Sequence, residues 1–222
     1  LRVEDLLGGN YFLNVNAFAA RTFGGIIQDA DKLNTLDSSI VRKQGDSYGY
    51  DYNIHFSKAS WFAQTSFVYN KVDFFLAGEL GYTNFYRVGN YKSGLYTDDS
   101  YGKSTSMTYF NPKAKGGATL KINGRNYLYA NGTIGSRAPF VDNVIISSRT
   151  RNEMISNPSN EKFASMEAGY LLRAPNVKGR LTFFATDVKN ASDIKRYYSD
   201  VEFSFVSMAL QGINKRYTGV EL

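Results

Sequence analysis

A small set of side chains could recognise a ligand: Arg87, Arg137, Arg149 and Arg151, with Tyr91, Tyr96, Tyr197 and Tyr198. Arg carries a planar fork of donors suited to carboxylate-rich or phosphate-bearing ligands, and Tyr and Arg are common anchors of recognition surfaces. The same residues serve equally as polar loop side chains, and Arg137 also suits a structural charge network. Catalysis is poorly supplied. Asp73, Glu79 and Glu167 are the carboxylates that patterning would bring into a polar interior, where Lys121, Arg137, Arg173 and Arg180 would pair with them. The chain has no Cys and a single His, His55, which removes disulfides, thiolate zinc sites and a Cys nucleophile and leaves no His cluster. Gly8-Gly9, Gly24-Gly25 and Gly116-Gly117 lack the strand–loop–helix setting of a phosphate loop. Asn131-Gly132-Thr133 and Asn190-Ala191-Ser192 are chance matches to a glycosylation acceptor. The expectation is a non-enzyme that needs no cofactor and no metal.

The elements that must position these residues are strands. The 222 residues include 17 Tyr, 16 Phe and 20 Gly but only 4 Pro, a composition suited to many strands joined by turns. The formal charge is +6, yet the basic residues are scattered and no Lys/Arg run exceeds two, so nucleic acid is not an expected partner. Strands alternate their side chains between two faces. Over 72–87, Phe74, Leu76, Leu80 and Tyr82 share one face, while Asp73, Glu79 and Arg87 share the other. Residues 163–173, 178–186 and 11–19 repeat the pattern, with shorter support from 118–122. Near residue 55 the apolar parity switches from Tyr52, Ile54 and Phe56 to Trp61, Ala63, Phe67 and Tyr69. A β-bulge at 57–60 is expected to produce the switch. Alternation over 201–213 is weak.

Connections sort by length. Asn70-Lys71, Asn123-Gly124, Ala174-Pro175-Asn176 and Asn214-Lys215 read as tight turns, whereas 22–47, 88–104, 141–159 and 191–200 read as long loops. Strict alternation of short and long is the connectivity of an outer-membrane barrel, and a soluble sandwich has no reason to adopt it. It makes 11–21, 72–87, 126–137 and 177–189 outward strands, the intervening ones return strands, and 216–221 the start of another. Pro139, Pro158 and Pro175 fall in connections, and Pro112 near the loop end of its strand. Tyr69, Phe74, Tyr127 and Tyr170 lie near the tight turns, where an interfacial aromatic girdle belongs. No segment approaches the ~20 apolar residues of a membrane helix, a test to which barrel strands are blind.

From Gly116 to Asn131 the string GGATLKINGRNYLYAN resembles the late barrel of TonB-dependent receptors. It is followed by Ser136-Arg137-Ala138-Pro139-Phe140, then Asn160-Glu161-Lys162, Glu167-Ala168-Gly169-Tyr170, Phe183-Phe184-Ala185-Thr186 and Tyr217-Thr218-Gly219-Val220-Glu221-Leu222, each similar to strand elements of that family. Upstream, Phe62-Ala63-Gln64 resembles a strand of the family, and Phe85-Tyr86-Arg87-Val88-Gly89 resembles a strand-end motif common in its Bacteroidetes members. The resemblance spans 50–222, and its specificity lies in the order of the motifs.

The resemblance implies an all-β, antiparallel, up-and-down transmembrane barrel segment of about nine strands, part of a barrel of about 22 strands. It implies a partial barrel domain over 1–222 without the N-terminal plug, cut from a longer protein, since Leu1 opens without initiator Met or signal peptide. An open sheet is therefore expected. The implied setting is the outer membrane of a Gram-negative bacterium, and the implied function is TonB-energised uptake of a ferric siderophore, haem, cobalamin or glycan. Its partners would be outer-membrane lipid, TonB acting through the plug, the small-molecule or glycan ligand, and a surface lipoprotein. Two further readings stay open: a plug-free channel or adhesin barrel, and a soluble β-sheet binding module.

Overall fold

The computed structural model describes residues 50–90, 96, 98–201 and 204–222. The strand expected at 11–21, the loop at 22–47 and Tyr91 lie outside the described residues. The described chain is one antiparallel sheet with almost no helix. Its strands are β1 (Tyr52–Val68), β2 (Val72–Gly89), β3 (Gly102–Lys103), β4 (Met107–Lys121), β5 (Asn126–Arg137), β6 (Glu161–Arg173), β7 (Lys178–Ser199) and β8 (Ser204–Glu221). The spatial order is β1-β2-β4-β5-β6-β7-β8, with the two-residue β3 added to the end of β2. Apart from β3, which pairs only with β2, sequence neighbours pair, and the path of the described strands does not close on itself.

The turns follow from local chemistry. At Asn123 the side-chain carbonyl accepts the backbone N–H groups of Arg125 and Asn126, both at 2.9 Å, so an Asn side chain mimics the missing peptide and folds the hairpin. The β1–β2 turn closes with Tyr69 N–H donating to Val72 O, and the β6–β7 turn with Ala174 N–H donating to Val177 O. These lie where Asn70-Lys71, Asn123-Gly124 and Ala174-Pro175-Asn176 place them. All three are at one end of the sheet. The longer connections 90–106 and 138–160 are at the other.

Two expectations fail, each for a physical reason. There is no bulge at 57–60: β1 pairs with β2 without interruption from Tyr52–Gly89 to Val68–Asp73. The parity switch is a change of environment. Near the long connections Ile54 and Phe56 share a face with Phe85, and the Phe56 and Phe85 rings stack at 6.4 Å. Near the tight turn, Trp61, Ala63 and Phe67 occupy the opposite face. The second failure is at 191–200, read as a loop, and at Asn214-Lys215, read as a turn. Residues 191–199 continue β7, and 204–213, Asn214-Lys215 and 216–221 all belong to the single strand β8. The irregularity sits instead between Val188 and Asp193, where the register shifts. Asn190 (φ 61) and Gly212 (φ 72) occur there in the left-handed region that Asn and Gly tolerate best. Beyond it the two strands continue as a hairpin to Ser199 and Ser204. Pro112 lies inside β4 opposite Leu80, just past the β5 ladder, which begins at Lys113.

The continuous register lays side chains out in rows. One row reads Phe67, Phe74, Ala118, Ala130, Ala168, Phe183 and Val220. Two residues toward the long connections the row is Thr65, Leu76, Gly116, Gly132, Met166, Ala185 and Thr218. This face holds no charged side chain on β1, β2, β4 or β5. Its apolar groups are not packed into a core: Leu76 is 59%, Leu80 47% and Met166 64% exposed, and Leu181 is partly exposed.

The opposite face carries most of the charges and pairs several of them. Lys121 meets Asp73 at 2.6 Å, Lys113 meets Glu79 at 2.9 Å, and Asn131 donates to Glu167 at 2.7 Å. Tyr127, expected among interfacial aromatics, is on this face, beneath Arg173 at 5.4 Å. A small apolar cluster of Phe85, Tyr109, Val144 and Ile155 covers part of it near the long connections.

Candidate functional site

The candidate residues converge at the long-connection end, but in different roles. Arg87 stands on the charged face of β2 and is 1% exposed. Its Nε donates to Ser148 O at 2.7 Å, and its Nη1 to Ser100 O at 2.9 Å and to Asn152 Oδ1 at 2.5 Å. Its guanidinium lies 5.3 Å from the Tyr52 ring centroid. The backbone N–H of Arg87 donates to Ser104 Oγ at 2.9 Å. A rigid fork of donors is what can bind the 100–104 and 148–152 segments at once. Arg87 is a staple between two connections.

The staple works because connection 138–160 folds back over the sheet. A short 3-10 turn, Val141–Asn143, leads into a small hairpin in which Ile146 N–H donates to Glu153 O and Ile155 N–H to Val144 O. Val144, Ile145 and Ile155 become buried, with Val144 and Ile155 packed against Phe85 and Tyr109. Burying a Val or Ile side chain is worth roughly 1.5–3 kcal/mol, which offsets the ordering of the loop.

Arg149 and Arg151 ride on this hairpin. The Arg149 guanidinium lies 5.3 Å from the Tyr50 ring centroid, and that of Arg151 lies 4.5 Å from Tyr96. Arg151 Nε also pairs with Glu153 at 2.5 Å. Arg87, Tyr96, Arg149 and Arg151 therefore belong to one folded cap. Arg137 ends β5 and is half exposed; its Nε meets Glu161 Oε2 at 2.7 Å, and its guanidinium lies 5.2 Å from the Phe140 ring. Glu161 is buried at 2% exposure, so Arg137 compensates a buried carboxylate while one flank remains open to solvent.

Tyr197 and Tyr198 are elsewhere, on the hairpin that β7 and β8 extend past the register shift. They are 48% and 50% exposed, and Tyr198 meets Phe205 edge-on at 5.5 Å. Among the described residues, neither forms an ion pair or a contact with a cation. Sequence reasoning did not find Ser100, Ser148, Asn152 or Glu161, the partners that fix the arginines. Backbone carbonyls leave no mark in sequence, and these partners are distant along the chain. Among the described residues no group of His, Asp and Glu could hold a metal ion. No protein-family model matches the chain, and no curated protein matches it.

Proposed function

We propose that this chain is a wall segment of an outer-membrane β-barrel of the TonB-dependent receptor kind, serving energised uptake of a nutrient. One observation carries the reading: a wide, exposed, largely apolar face on one side of the sheet, free of charged side chains on β1, β2, β4 and β5, and ion-paired residues on the other. In water such a face has no covering and invites aggregation. Against hydrocarbon it needs none, while the charged face lines a hydrated interior. Strand length agrees. The shortest of the main strands has 12 residues, and about 9–11 tilted residues cross a bilayer. Aromatic residues flank the uncharged face at both ends, with Phe67 stacked on Phe74 at 4.7 Å near the tight turns and Tyr82 opposite Phe110 farther along. This is the placement of interfacial girdles.

In this reading the cap bearing Arg149 and Arg151 and the exposed hairpin bearing Tyr197 and Tyr198 face the exterior. They would capture a small molecule or glycan, with Arg137 at the interior rim. TonB would act through a plug domain, and a surface lipoprotein would meet the exterior loops.

The chain has one Trp, Trp61, on the uncharged face. The intact protein in vesicles containing brominated acyl chains should show strong quenching of Trp61 fluorescence. Emission insensitive to bromine would refute the membrane wall. Loss of ligand uptake by cells on deletion of residues 191–213, with the barrel still inserted, tests the capture role.

A further inference from the structure

The uncharged face changes character at one corner. Ser136 on β5, Lys162 on β6 and Lys189 on β7 form one cross-strand row. Lys162 and Lys189 are therefore direct partners, both exposed. Like charges directly opposite each other destabilise a sheet. Among the described residues neither lysine forms an ion pair within 4 Å. The one acid nearby on this face is Asp187, which Arg216 holds through Nε at 2.6 Å and Nη2 at 3.0 Å. The corner thus keeps two lysines without a direct carboxylate partner, Lys189 sensing Asp187 only at longer range while Arg216 holds that carboxylate.

Directly below, one row toward the tight turns, stand Ala114, Ile134 and Ala164. With Pro112 and Phe163 they line a mostly apolar groove of about 610 Å³ that the two lysines overhang. A cation pair at the rim of an apolar groove, facing outward, complements an anionic amphiphile. A free anion would use the lysines and leave the groove unfilled.

We propose that this corner binds a phosphorylated lipid of the surrounding membrane leaflet, with Lys162 and Lys189 on a headgroup phosphate and an acyl chain along the groove. The proposal rests on the membrane reading of this face. It makes the lipid an ordered part of the wall beside β6 and β7, and the phosphate relieves the lysine repulsion.

The intact protein in an uncharged detergent would be titrated with bisphosphorylated lipid A, with its dephosphorylated form and with inorganic phosphate, reading bound lipid by native mass spectrometry. Retention of the phosphorylated form is expected. K162Q/K189Q should weaken it at least about tenfold, as two lysines at a lipid surface would. K162R/K189R should restore it, and K115Q, on the opposite face, should leave it unchanged. Equal retention by K162Q/K189Q, equal binding of the dephosphorylated lipid, or displacement by millimolar phosphate would each overturn the site. Trp61 quenching by brominated lipid is measured on the same variants. Quenching that persists while lipid selectivity is absent sinks the site and leaves the wall. Absent quenching in the unaltered protein sinks the wall itself.

Discussion

Tyr129 lies across Gly169. The two are direct partners on β5 and β6. A Cβ placed on Gly169 would come within 2.7 Å of the Tyr129 hydroxyl and would also press on the carbonyl of Leu181. Using the space that glycine leaves, the phenol reaches over β6 to Thr182 on β7, at 2.5 Å, and accepts a bond from Arg180 Nε at 2.8 Å. One side chain thereby ties three strands on the charged face.

G169V should therefore destabilise the sheet by about 1–3 kcal/mol, the usual cost of overpacking where backbone blocks relief. Y129F keeps the ring and loses the hydroxyl, and should cost only about 1 kcal/mol. Urea unfolding in detergent, followed by tryptophan emission, checks both. Equal effects would mean that the hydroxyl, not the space, matters.

The two faces should answer differently to a new charge. L76R places a cation on the uncharged face, and in hydrocarbon this costs about 2–4 kcal/mol near the bilayer centre. Q64R, on the exposed charged face of β1, should stay within about 0.5 kcal/mol. Folding yield into vesicles measures the contrast. Indifference to both would mean that Leu76 faces water.

Removing the guanidinium of Arg87 leaves two backbone carbonyls and the Asn152 side chain without their donor. Each buried unsatisfied group costs about 1–3 kcal/mol. R87K should fail to rescue, because one ammonium lacks the fork that spans both connections. Limited proteolysis should cut residues 96–106 and 141–155 in R87A while β-sheet circular dichroism is retained. An uncut cap would show that its apolar contacts hold it without the staple.

Y197A and Y198A should leave stability within about 0.5 kcal/mol, since both rings are half exposed. Ligand capture by cells should fall. Unchanged uptake in the double variant would remove the hairpin from the recognition surface.

Much of the sheet was legible because alternation is a local signal. β5 spans Asn126–Arg137 as patterned, and the tight turns sit on their Asn, Gly and Pro residues. Alternation is lost over 191–199, where the left-handed Asn190 and the register shift break the pattern and Lys195 to Tyr198 are exposed in succession, so the segment read as a loop. The switch at 57–60 misled for a different reason: Ile54 and Phe56 lie on one face and Trp61 on the other within one unbroken strand, so the apolar residues change faces with no bulge. The arginines were legible as residues able to bind something. What Arg87 binds was not, because Ser148 and Asn152 lie 61 and 65 residues away.

That separation also bears on the order in which the molecule is built. Each tight hairpin begins by closing a handful of residues, whereas the Arg87 contacts close loops of 61 and 65 residues, whose entropic cost is larger and is met only once the intervening strands stand in line. Pairing zips away from the tight turns, and the far rim latches last. A chain halted midway would carry paired strands near the tight turns beneath an unfastened rim, the end most open to proteolysis.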